Sequence, residues 1–130
     1  MDTFLLDMNV FDAIYDNKNN ADLLLALERN SQSLIYFENQ FKDEFLHLHT
    51  PQNKREFIKS FLYKNNVRSY GAKALSYYDK YLLKIADTLC EHGEIVFVVS
   101  DDKGIINECK RVGRNAMNSK IFFEKIQELE

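Results

Sequence analysis

The run Ile95-Val96-Phe97-Val98-Val99 constrains this chain more than any other segment. It is apolar throughout, mostly β-branched, and bounded by Gly93 on one side and Asp101-Asp102 on the other. Such a run reads as a strand. Having no polar face, it belongs inside a parallel sheet that is covered on both sides. Residues 3–7 (TFLLD) and 33–37 (SLIYF) have the same character, and residues 115–118 supply a short last strand.

Helical patterns separate these runs. Residues 9–16 and 21–29 read as helices, with Asp16-Asn17-Lys18-Asn19-Asn20 as a break between them. Residues 38–48 read as another. Thr50-Pro51 reads as a helix start, Thr50 as N-cap and Pro51 at the first helical position. That helix runs to about Lys64 and buries Phe57, Ile58, Phe61 and Leu62. Residues 65–71 read as a connection. The longest helix spans 72–91, with Leu75, Tyr78, Leu82, Ile85, Ala86 and Leu89 on one stripe and His92-Gly93 at its end. Residues 103–112 form a helix closed by Gly113, and Ser119 caps a final one. Strands alternating with helices define an α/β fold with a parallel sheet. The 130 residues are one domain, 1–130, long enough to bury a core without disulfide staples.

Several function classes drop out. Cys90 and Cys109 form no CxxC pair, and His47, His49 and His92 have neither HExxH nor any zinc spacing. Two reduced thiols in a cytoplasmic protein are expected. The opening MDTFLLDMNVF is broken by Asp2 and Asp7 and has no basic lead, so no secretory signal is expected. No stretch approaches the roughly 20 apolar residues of a membrane span.

Net charge is −3, but it is unevenly spread. Residues 1–50 carry a balance of −6, residues 51–84 of +6, and residues 85–130 of −3. The basic middle (Lys54, Arg55, Lys59, Lys64, Arg68, Lys73, Lys80, Lys84) is interleaved with Tyr63, Tyr70, Tyr77, Tyr78 and Tyr81. Lysines with aromatics suit single-stranded nucleic acid, through charge and stacking. They suit a solvated helix face or a subunit interface equally.

Four places put acids where ligands bind. Asp7 ends the first strand and Asp101-Asp102 follow Ile95–Val99, and the carboxyl ends of parallel strands line the ligand crevice of a doubly wound sheet. Each also fits a helix cap or turn. Glu44 sits within an apolar stripe: at about 100° per residue from Phe37, it falls at about 340°, between Leu48 at about 20° and the stripe's other edge. Asp43 falls at about 240°, well outside. Asp79 lies at the stripe edge of the long helix, within about 40° of Leu75 and Ala86. A carboxylate aimed at a core needs a salt bridge, a helix-end exposure or a cation. Clustered carboxylates repel one another unless a counter-cation joins them, and Mg²⁺ or Mn²⁺ is the hard, oxygen-seeking choice.

LLDMNVF at 5–11, KDEFL at 42–46, YYDKYLLKIADTLCEHG at 77–93, VVSDDKGI at 98–105 and NAMNSKIFFEKI at 115–126 together resemble the PIN-domain ribonucleases. That family includes toxins of type II toxin–antitoxin pairs. The resemblance spans nearly the whole chain. It implies a three-layer α/β/α fold of Rossmann-like topology and a metal-dependent endoribonuclease. Asp7, Glu44, Asp79 and either Asp101 or Asp102 would be the acids that hold one or two Mg²⁺ or Mn²⁺ ions. Asn9 and Ser100 would hold those carboxylates by hydrogen bonds. Lys54, Arg55, Lys59, Arg68, Lys73 and Lys80 would grip the RNA backbone. The resemblance further implies a homodimer and a cognate antitoxin. In the third-acid helix, Lys80, Tyr81 and Lys84 stand where the family is usually small and apolar. The alternatives are a catalytically silent PIN-like RNA- or protein-binding module, and a receiver-type signalling domain.

Overall fold

The N-terminal run and the Ile95–Val99 run lie side by side. In the computed structural model the first strand, β1 (Asp2–Leu6), pairs in parallel with β4 (Ile95–Val99) along its whole length, from Asp2 opposite Ile95 to Leu6 opposite Val99. The structure describes residues 2–30, 34–42, 50–71 and 78–128, with 78–80 as backbone only. The remaining elements are α1 (Met8–Asp16), α2 (Ala21–Arg29), β2 (Leu34–Phe37), α3 (Glu38–Gln40), α4 (Gln52–Lys64), β3 (Arg68–Tyr70), α5 (Tyr78–Glu91), α6 (Lys103–Arg111), β5 (Asn115–Met117) and α7 (Ser119–Glu128). The five strands form one sheet in the order β3-β2-β1-β4-β5, every pairing parallel.

Alternation along the strands divides the core into two layers. Phe4, Leu6 and Leu34 face α1, α2, α4 and α7, where Phe11, Ile14, Leu27, Ile58, Phe122 and Ile126 are buried. Leu5, Ile35, Phe37, Val96 and Val98 face α5 and α6, where Leu82, Ile85, Ala86, Leu89, Ile105 and Cys109 are buried. The result is the expected three-layer α/β/α sandwich. Burial pushes the Cys109 thiol up to about 11, with Glu108 and Asp87 adding to the effect. After α5 and α6 the chain turns at Gly93 and Gly113, whose φ values of +88° and +79° lie in the left-handed region that favours glycine.

The structure departs from the sequence expectation at five places. Residues 65–71 are not only a connection, because they contain β3. Its sequence, Arg-Ser-Tyr, is polar and mostly exposed, and it pairs on one side only, with β2. An edge strand of three such residues carries no apolar signal. Thr50 is not the cap of α4: Pro51 occupies that position in an extended conformation, and no side chain caps the helix. Ser119 does not cap α7. Asn118 does, its Oδ1 accepting from Ile121 N at 2.9 Å, because Asp101 already engages the Ser119 amide and hydroxyl. Ile95 is 52% exposed and Phe97 half-buried, so β4 is fully covered only at Val96, Val98 and Val99. In α4, Phe57 and Leu62 are half-buried, while Ile58 and Phe61 are buried as expected.

Candidate active site at the carboxyl rim

Parallel strands point their carboxyl ends to one rim. In the order 3-2-1-4-5 the chain leaves β1 toward β2 and later returns to β1's other side as β4, so the topological switch point lies between β1 and β4. Crevices for ligands form at that point. Asp7 follows β1 there, and Ser100-Asp101-Asp102 follow β4.

Asp7 is 4% exposed. It is the N-cap of α1: its Oδ1 accepts from Met8 N at 2.8 Å. The same oxygen accepts from Gln40 Nε2 at 2.9 Å. Oδ2 accepts from Ser100 Oγ at 2.8 Å and from Asn9 Nδ2 at 3.3 Å. The carboxylate thus receives four donors from three elements of the rim. A buried carboxylate is tolerated when it is met in this way.

Its partners are themselves held. Ser100 is fully buried, and its Oγ accepts from Asp102 N at 3.0 Å and from Asn9 Nδ2 at 3.3 Å. Asn9 Oδ1 accepts from Asp101 N at 3.0 Å. Asn9 and Ser100 therefore link the two strand ends and orient Asp7.

The two neighbouring acids divide their work. Asp101 turns toward α7, where both its oxygens bind Ser119, at 2.8 Å to the amide and 2.8 Å to the hydroxyl. Asp102 caps α6, its Oδ1 accepting from Gly104 N at 2.8 Å, and its side chain is exposed. Its Oδ2 accepts no hydrogen bond among the described residues. Of the pair, Asp102 has an oxygen that meets no protein donor among the described residues, while each Asp101 oxygen already accepts one. Glu44 lies outside the described residues. Asp79 falls in the first turn of α5, which starts on the carboxyl side of the sheet, but its side chain is likewise outside them.

Gln40 is the rim residue that sequence reasoning missed. It is 4% exposed, and its Oε1 has no hydrogen-bond partner among the described residues. The signal available in the sequence was weak: a single amide one turn past the Leu34–Phe37 strand, indistinguishable from a surface glutamine.

No group of three or more His, Cys, Asp or Glu that could hold a metal is found among the described residues. The donors that are present, Asp7, Asp102 and the unpartnered Gln40 carbonyl, are all oxygens, which fits Mg²⁺ or Mn²⁺ and not a thiolate- or imidazole-seeking ion.

Among the described residues the basic side chains do not gather into one patch. Lys54, near the start of α4, pairs with Asp12 of α1 at 2.5 Å, and Arg55 beside it is half-buried. Lys59 is exposed midway along α4. Lys73 and the side chain of Lys80 lie outside the described residues. Arg68 reaches away from the rim, to Glu94 at 2.7 Å and Thr3 Oγ1 at 3.4 Å, near the amino end of the sheet. Of the tyrosines, Tyr81 stacks on Phe37 with ring centroids 5.6 Å apart, and Tyr63 stands 85% exposed.

The Arg68 contact has a pH signature. Arg68 and Thr3 donate to the Glu94 carboxylate and hold it below its usual value of 4.5. A carboxyl lowered on folding stabilises the protein above its unfolded value, and the gain is lost as pH falls through the folded one. Glu94→Gln is therefore expected to be less stable than the parent at neutral pH and to lose less of its stability below pH 4.5. Urea unfolding across that range measures both.

Among the described residues no helix is long and apolar enough to cross a membrane. No protein-family model matches the chain, no characterised protein is significantly similar to it in sequence, and no solved structure significantly matches its fold.

Proposed function

We propose that the protein is a metal-dependent endoribonuclease of the PIN type that hydrolyses RNA phosphodiester bonds, acting in the cytoplasm as the toxin of a toxin–antitoxin pair. The observation that carries this reading is the buried carboxylate of Asp7 at the switch point, fixed from both flanking strand ends, with the Asp102 amide bound to the same Ser100 hydroxyl. The sequence resemblance supplies the rest: the family, the homodimer and the cognate antitoxin.

Asp7 and Asp102 would hold one or two Mg²⁺ or Mn²⁺ ions, with Glu44 and Asp79 completing the set. A divalent ion there supplies Lewis-acid activation of water and stabilises the charge of the leaving oxygen. Asn9 and Ser100 keep the Asp7 carboxylate aimed, so little reorganisation is left for the reacting complex. Asp101 ties the start of α7 to the rim. Lys54, Arg55 and Lys59, on the helix that starts at the rim, and Lys73 and Lys80 are the candidates for RNA phosphates. Arg68, committed to Glu94, is the weakest of the assigned contacts.

A silent PIN-like binding module is the second reading. It is favoured by one observation: all four acceptor positions of Asp7 are already filled by protein donors.

The test is incubation of purified protein with structured and single-stranded RNA, with Mn²⁺, with Mg²⁺ and with EDTA, beside Glu44→Ala. Cleavage that needs metal and falls by at least about 100-fold in the variant supports the nuclease. Metal binding without cleavage of any RNA offered supports the silent module.

A further inference from the structure

The Gln40 amide is oriented by its neighbour. Its Nε2 faces Asp7 Oδ1 at 2.9 Å, and the reversed amide would set a carbonyl oxygen against a carboxylate. Oε1 is consequently left buried and without a partner among the described residues. Buried acceptors in this state are uncommon and call for an explanation.

Any cation that takes Asp7 as ligand must first displace a donor, because each oxygen of the carboxylate already accepts two. Met8 N is backbone, and its bond to Asp7 is the cap of α1. Ser100 Oγ is fixed by Asp102 N, and Asn9 by Asp101 N. Gln40 Nε2 is the one donor that can leave without breaking another described hydrogen bond. A half-turn about the terminal torsion, a broad two-fold rotor, withdraws it. The same half-turn brings Oε1, a hard neutral oxygen, to the position facing Asp7 Oδ1. It exchanges one unpartnered amide atom for another, so an arriving cation decides the balance.

We propose that Gln40 is a two-position amide at the cation site. Its N–H holds Asp7 when no divalent cation is bound, and its carbonyl ligates the cation once Asp7 does. This rests on the metal-dependent reading above.

The test is calorimetric titration of the full chain with Mn²⁺ alone, comparing the parent, Gln40→Met and Gln40→Glu, with thermal unfolding of each with and without Mn²⁺. Methionine matches the shape without the oxygen, and the expected result is Mn²⁺ affinity about tenfold weaker or more. Glutamate places a second carboxylate against Asp7. The metal-free protein should then melt lower, Mn²⁺ should recover it, and affinity should rise by about tenfold. Mn²⁺ affinities of both folded variants within about twofold of the parent's would overturn the proposal and leave the metal reading standing. If Gln40→Met fails to fold, an unchanged affinity in Gln40→Glu overturns it alone. A parent that binds no Mn²⁺ overturns both.

Discussion

Asp7→Ala is expected to destabilise the domain by about 3–5 kcal/mol, from a lost N-cap and two buried donors left unmet. The side chain caps α1 and is the acceptor for Gln40 Nε2 and Ser100 Oγ, both buried. A loss of that size is a large part of the roughly 5–15 kcal/mol that holds a domain together. Loss of activity in the alanine variant would therefore mix chemistry with unfolding. Asp7→Asn separates them. Its Oδ1 still accepts from Met8 N and Gln40, and only the Oδ2 side, facing Ser100 Oγ and Asn9 Nδ2, must rearrange, so a cost of about 1–2 kcal/mol is expected. Urea unfolding of the two variants side by side checks the difference. Equal stabilities would mean that the rim hydrogen bonds contribute little.

Phe122→Ala is the second large effect, at about 3–5 kcal/mol. Phe122 is fully buried in α7 and packs on Phe4 of the central strand, with ring centroids 5.2 Å apart, and Phe4 in turn stacks on Phe97. Truncation opens a cavity between helix and sheet that neighbouring rings cannot fill without leaving their rotamers. The rim should survive in the folded fraction, because Asp101 holds the first residue of α7 independently of the ring. The variant should therefore unfold at lower urea and still bind Mn²⁺ at low temperature as the parent does. A loss below about 1 kcal/mol would contradict this packing.

The legible parts of the chain were those where one physical signal dominates. The Ile95–Val99 run, the helices α1, α2 and α6, and the glycine stops at Gly93 and Gly113 all appear where the sequence puts them. β3 was illegible because Arg68-Ser69-Tyr70 is an edge strand specified by its pairing to β2 and not by burial. The start of α4 is set one residue later than the residue types suggest, at Pro51 with no side-chain cap, and the cap of α7 is decided by a tertiary partner. Ser119 is a fair cap by residue type, but Asp101, distant in sequence, claims it. At the rim, Asp7 is legible from its place at a strand end, and Asn9 and Ser100 only through the family resemblance. Gln40 is not, since its importance arises only once the end of β2 folds against that of β1.

The proposed activity requires that this rim hold a divalent cation and cut RNA. The most direct measurement is single-turnover cleavage of RNA by the parent and by Asp7→Asn, both verified as folded by circular dichroism, over a titration of Mn²⁺. Cleavage that rises with Mn²⁺ in the parent and falls by at least about 1,000-fold in the variant is the predicted result. Cleavage by Asp7→Asn at the parent's rate, or cleavage indifferent to Mn²⁺ and EDTA, would contradict it.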